Sequence, residues 1–164
     1  MTMVNKEVLY NLKLIALIIS LVAVDLVSKS LANNSLSFGE PSNTFLPFID
    51  LLLIYNSGIA FGIFDNSGTL ASNILLLLTF LILCYLMWMI INEPQTNKKF
   101  SLSIITAGAI GNIIDRANDG QVTDFLHLEI LNFSFFVFNL ADAFITIGAV
   151  LIIYFEIIYR PKND

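Results

Sequence analysis

The chain has 164 residues, of which 57% are hydrophobic and 13% charged, with a formal net charge of −5; soluble domains carry about 25% charged residues. That balance excludes an ordinary soluble domain and a disordered tail, and the absence of a basic footprint excludes a nucleic-acid module. The single cysteine, Cys84, excludes an internal disulfide and any multi-cysteine metal site.

What remains is one membrane-embedded unit over residues 1–164, and the apolar stretches predict four helical spans, about 12–31, 70–92, 100–116 and 135–155. Each approaches the ~20 residues that a bilayer-crossing helix needs. The first carries Lys6 ahead of it. Together with the apolar core Leu14–Val24 and the small-residue triplet Ser30-Leu31-Ala32, it imitates a cleavable secretory signal. Loss of that span would leave three and put the termini on opposite sides, so the uncleaved reading is preferred.

Residues 33–69 follow; they contain the apolar run Phe45–Tyr55, four glycines and the punctuating Pro41 and Pro47, and read as short extracytoplasmic strands joined by turns. The second span is free of charge and contains Cys84, read there as a small hydrophobe. The third is short unless Asp115 and Arg116 sit at an interface. Residues 117–134 begin polar and turn apolar after Asp124, as a segment lying along the membrane surface would. In the fourth span only Asp142 interrupts the apolar run, and the Phe133–Phe138 cluster reads as packing or an interface anchor.

Charge placement sets an expected orientation. Lys6, Lys13, Lys98, Lys99, Arg160 and Lys162 fall on one side and only Lys29 and Arg116 on the other, a split of 6 to 2. The positive-inside rule then puts both termini and the Glu93–Lys99 loop in the cytoplasm. Four of the acids fall on that side and nine at or near the outer face, where the ionisable chemistry collects.

A charge inside a span costs about 2.5–3.5 kcal/mol on insertion scales, so each one is a functional candidate with a plainer alternative. Asp25 and Lys29, four residues apart, read as a local ion pair with Lys29 reaching toward the head groups. Gly108, Gly111, Asn112 and Asp115 share one helical face beside Arg116. Small residues there admit the close approach of a helix or a substrate; Arg116 either presents its planar fork to an oxygen ligand or pairs with Asp115. His127, the only histidine, reads as a surface or interface residue. Asp124 and Asp142, 18 residues apart, either share a site or are satisfied separately. If they share one, two close carboxylates cannot both ionise, and an acid and a base coexist at neutral pH.

The sequence resembles the bacterial lipoprotein signal peptidase family (signal peptidase II). The likeness rests on five pieces in order: Asp25-Leu-Val-Ser-Lys29, Asn56-Ser-Gly-Ile-Ala-Phe61, Gly108-Ala-Ile-Gly-Asn112-Ile-Ile-Asp115-Arg116, Val122-Thr-Asp124-Phe125 and Phe138-Asn139-Leu-Ala-Asp142. The resemblance implies a mainly α integral membrane protein with four transmembrane helices, a small extracytoplasmic β-cradle and a short surface helix. It implies an aspartic endopeptidase of the bacterial inner membrane, with Asp124 and Asp142 as the catalytic pair. Asn56, Gly108, Asn112, Asp115, Arg116 and Asn139 would then line or support the site, with Asp25 and Lys29 structural. The implied substrate is a diacylglyceryl-modified prolipoprotein cleaved just before its lipidated cysteine, in contact with membrane lipids and without cofactor, metal or nucleic acid. Ala107 and Phe136 depart from the family pattern, where a glycine and a proline are usual. The competing reading is a non-enzymatic proton-coupled transporter, or a subunit of a transport complex, in which Asp115, Arg116, Asp124 and Asp142 form a relay.

Overall fold

The computed structural model describes residues 3–58, 68–131 and 133–158. The residues Ile59, Ala60, Phe61, Arg160 and Lys162, which enter the sequence reading, lie outside them. In chain order the elements are α1 (Met3–Ser35), β1 (Pro41–Ser42), β2 (Ile49–Asn56), α2 (Gly68–Asn92), α3 (Thr96–Asp119), β3 (Val122–Ile130), β4 (Phe133–Phe138) and α4 (Leu140–Ile158).

Three of the helices are long and apolar enough to cross a membrane: Lys6–Ser35, Ser72–Asn92 and Leu140–Ile157. Their apolar side chains face outward, among them Ile19 and Val27 of α1, Leu77, Phe80, Leu81 and Trp88 of α2, and Val150 and Ile153 of α4. A helix apolar on all sides is at home in lipid. Cys84 is likewise exposed on α2. α1 has 33 residues, about 50 Å at 1.5 Å per residue, so it overshoots a ~30 Å hydrocarbon core.

α3 is built differently. It packs against α1, α2 and α4, and its buried side includes Ser101, Ser103, Thr106, Ala107, Gly108, Gly111 and Arg116. Its contact with α4 is made backbone to backbone. A Cβ added at Gly108 would collide with the Ala141 carbonyl oxygen and the Ile145 side chain. One at Gly148 of α4 would meet the Ser101 carbonyl oxygen at 2.8 Å and the Ile105 amide at 3.0 Å. The small-residue face of α3 is therefore occupied by α4 at Gly108 and by Asp25 of α1, with Ala141 of α4 beside it, at Gly111.

The strands form one antiparallel sheet in the order β1-β2-β3-β4. Ala32, Leu53 and Phe125 make a small buried core where the sheet meets α1, with Leu36, Leu51, Leu126 and Leu140 packed around it. The sheet thus sits on the C-terminal end of α1 and the start of α4.

Three expectations change. Residues 117–134 do not form a surface helix: they close α3, run through β3 and begin β4, because Val122–Ile130 pairs on both sides and buries its first four residues. A separate short helix is not among the described elements. The fourth helix starts at Leu140, not Phe135, because the aromatic run Phe133–Phe138 is the edge strand β4. Its Phe133, Phe135 and Phe136 are exposed.

Candidate functional site

The site lies where the start of α4, the last turns of α3, the C-terminal half of α1 and strands β2 and β3 converge. α4 begins with a reciprocal cap. The Asn139 side-chain oxygen accepts from the Asp142 amide at 3.0 Å, and the Asp142 carboxylate accepts from the Asn139 amide at 3.3 Å. This is a capping box, with Asn at the cap and an acid three residues on. It fixes the backbone and side chain of Asp142 together. A carboxylate in the first helical turn also gains from the helix dipole.

Asp124 sits in β3 opposite Ile54, buried to 1% exposure. Its two oxygens accept from two amide side chains, Asn56 at 2.9 Å and Asn139 at 2.6 Å. Asn139 consequently bridges the aspartates, capping α4 over Asp142 with its oxygen and donating to Asp124 with its nitrogen. The other Asp142 oxygen accepts from Asn112 at 2.7 Å.

Amide orientation is ambiguous in isolation, but each of these three asparagines also touches a group that can only donate. The Asn56 oxygen accepts from the Gly58 amide at 2.8 Å, the Asn112 oxygen from the Lys29 ammonium at 3.0 Å, and the Asn139 oxygen from the Asp142 amide. The three NH2 groups must then face the carboxylates. Asn56 is positioned by a tight turn at Gly58, whose φ of +78° suits glycine. A Cβ there would run into Leu75 and lie 3.4 Å from the Arg116 guanidinium.

Behind this layer is a buried ionic cluster. Lys29, 2% exposed, approaches Asp25 at 2.8 Å and Asp115 at 3.1 Å while donating to Asn112. Asp25 accepts from the Ala141 amide at 2.8 Å, and Asp115 from the Thr123 amide at 3.0 Å. These two backbone bonds tie α1 to α4 and α3 to β3. Lys29 therefore does not reach the head groups. The alternatives there are two carboxylates and an amide, and a buried ammonium is costly unless paired. Asp115 pairs with Lys29, not with Arg116. Arg116 is 9% exposed, and its Nε has no hydrogen-bond partner among the described residues.

Burial pushes the Asp124 carboxyl up to about 6; the amide bonds from Asn56 and Asn139 oppose the rise, and the nearby charge of Asp142 adds to it. A carboxyl that keeps its proton toward neutral pH beside a second carboxylate is the arrangement that acid–base hydrolysis uses.

The sequence reading missed the contributions of Gly58, Thr123 and Ala141, which act through backbone amides or through lack of a side chain and so leave little mark on a residue pattern. Asn139 falls inside the predicted fourth span, but the N-x-x-D spacing from Asn139 to Asp142 is also a cap signature, and the structure uses it so. His127 is buried, not superficial, with Nε2 2.7 Å from the Ser134 hydroxyl across the β3–β4 pair. Among the described residues no group of three His, Cys, Asp or Glu side chains is disposed to hold a metal ion.

The family described as signal peptidase (SPase) II matches residues 17–158. A lipoprotein signal peptidase of Francisella tularensis subsp. novicida (strain U112) is 39% identical over 156 residues, 93% of this chain and 96% of the relative. One from Rickettsia africae (strain ESF-5) is 36% identical over 148 residues, 90% of this chain and 73% of the relative. Two solved structures, each described as a bacterial membrane enzyme structure by the in meso method, superpose at 30% identity. The one at 2.3 Å resolution has a TM-score of 0.78 and covers 93% of this chain and 92% of its own. The one at 1.9 Å has a TM-score of 0.77 and covers 93% and 94%.

These likenesses define the class as a multi-pass bacterial membrane peptidase of the aspartic type. Within that class the chain belongs to the signal peptidase II family, whose activity is the removal of signal peptides from lipoproteins. The transporter reading is left without support.

Proposed function

We propose that Asp124 and Asp142 are the hydrolytic pair, acting on a diacylglyceryl-modified prolipoprotein just before its lipidated cysteine. The observation that carries this is the set of three oriented asparagines converging on two carboxylates from different elements. One carboxylate takes a proton from water, and the water attacks the scissile carbonyl. The protonated partner gives its proton to the carbonyl oxygen as the tetrahedral intermediate forms; the carboxylate that took the proton from water passes it to the leaving amine, and collapse of the gem-diol returns a proton to the partner. Such acid–base assistance contributes on the order of 10²–10⁴ in rate.

The Arg116 guanidinium, whose Nε has no partner among the described residues, orients a backbone carbonyl of the substrate. The substrate's acyl chains stay in lipid, each buried methylene worth about 0.8 kcal/mol, so the bilayer holds the scissile bond at a fixed depth. In this reading α3 is a fourth span, both termini are cytoplasmic, and the sheet, with its exposed phenylalanines, lies at the outer surface against membrane lipid.

The test is processing of a diacylglyceryl prolipoprotein by purified Asp124→Asn and Asp142→Asn variants. Both are expected to insert normally and to lose at least about 10³ in rate, with EDTA leaving the wild type unaffected. Wild-type cleavage by either variant would falsify the pair.

A further inference from the structure

The end of the bundle away from the aspartates carries a cleft that peptide hydrolysis does not use. It opens between the first turns of α1, the C-terminus of α2 and the start of α3. The mouth encloses about 600 Å³ and is lined by Lys6, Glu7, Glu93 and Lys99. A second cavity of about 380 Å³ continues from it, sharing Glu7 and Lys99 and lined deeper in by Leu14, Ile18 and Met87. The Tyr10 hydroxyl donates to the Thr96 carbonyl at 2.7 Å and holds α1 to α3 across the opening.

The charges of the mouth are balanced, two cations and two carboxylates. Among the described residues none of these four forms an ion pair with another. Lys98, the neighbour of Lys99, is instead engaged by Glu156. Opposite charges that line one opening without meeting leave room for a group of both signs between them. Below that opening the walls turn aliphatic. A polar mouth of both signs above an apolar slot between helices matches a phospholipid.

We propose that this cleft binds a phospholipid carrying a phosphate and a primary ammonium, with the phosphate on Lys6 and Lys99, the ammonium toward Glu7 and Glu93, and an acyl chain along Leu14, Ile18 and Met87. A purely anionic headgroup would satisfy the lysines but face the glutamates with like charge. A quaternary ammonium would balance the charge but could not donate hydrogen bonds to the carboxylates.

The test uses the full chain in detergent, exposed to equimolar phosphatidylethanolamine, phosphatidylglycerol and phosphatidylcholine with identical acyl chains. Bound lipid is counted by native mass spectrometry. Phosphatidylethanolamine should be retained about fivefold over each competitor, the scale set by partly exposed charge pairs. The Lys6→Ala/Lys99→Ala double variant should lose about that factor, and Glu7→Gln/Glu93→Gln should erase the preference over phosphatidylglycerol. None of the four residues is near the aspartates, so prolipoprotein processing in detergent should stay at the wild-type level in both variants and report folding. Equal retention of the three lipids by the wild type would mean annular lipid only and overturn the proposal. So would a preference for phosphatidylglycerol, or charge variants that bind phosphatidylethanolamine as the wild type does. Should a double variant fail to fold, the wild-type competition alone decides between these outcomes.

Discussion

At the scale of single residues, the asparagines decide what the aspartates can do. Each oxygen of Asp124 already accepts from an amide nitrogen, which favours the charged carboxylate, while burial favours the neutral one. Burial wins, and the group rises from its ordinary 3.8 to about 6. The sign for stability follows. Below pH 3.8 the carboxyl is protonated whether or not the chain is folded. Between 3.8 and about 6 the unfolded chain ionises first, so stability falls as pH rises, and above about 6 the loss is complete. Its ceiling is about 3 kcal/mol, at 1.36 kcal/mol per unit. Asp124→Asn removes this titration but turns one amide donor toward another, a cost that does not depend on pH. Thermal unfolding of both proteins from pH 3.5 to 7.5 should therefore show the variant gaining steadily on the wild type, with the change centred between 4 and 6. A flat difference would mean that Asp124 titrates at its ordinary 3.8 in the folded protein. The acids and amides themselves were legible in the sequence. The direction in which each amide points was not, because it depends on donors as distant as Lys29 is from Asn112.

At the scale of elements, the α3–α4 contact carries the site. The glycine spacing on α3 made a close approach legible, but the partner was not, since a small face suits a helix or a substrate equally. Phe133–Phe138 was misjudged for a related reason: an aromatic run continuous with an apolar helix reads as part of the span, and only pairing with β3 makes it a strand. Two glycines at different heights on the same contact separate stability from function. Gly108→Ala would drive a methyl into the carbonyl of Ala141, next to Asp142. Gly148→Ala would press on Ser101 and Ile105, two turns further along α4. Overpacking of this kind costs about 1–3 kcal/mol, so both variants should melt earlier by similar amounts. Only Gly108→Ala should also lose activity per folded molecule, by tenfold or more, because a shift of about 1 Å in a catalytic group costs on the order of 10² in rate. Processing rates normalised to folded protein check this. Equal activity in the two variants would show that the start of α4 absorbs the methyl without moving Asp142.

At the scale of the molecule, the packing of α3 accounts for its absence from the three helices that length and hydropathy mark as able to cross a membrane. Lipid contact is what demands apolar side chains, and α1, α2 and α4 take that contact. α3, packed against all three, is free to carry Ser101, Ser103, Thr106 and Arg116 on its buried side. Its 24 residues extend about 36 Å, enough for a ~30 Å core. The 6-to-2 distribution of basic residues favours the proposed topology, in which the Glu93–Lys99 loop lies opposite the sheet. If α3 crosses, Gln95 before it and Asn118 in its last turn face different compartments. Cys84 is the only cysteine, so a Cys84→Ala background permits single reporters at Gln95 and Asn118, both exposed. A membrane-impermeant maleimide applied to spheroplasts should label Asn118→Cys at once and Gln95→Cys only after permeabilisation. Labelling of both from outside would make α3 a helix enclosed by the bundle without traversing the bilayer, and would undo the shared compartment of the two termini.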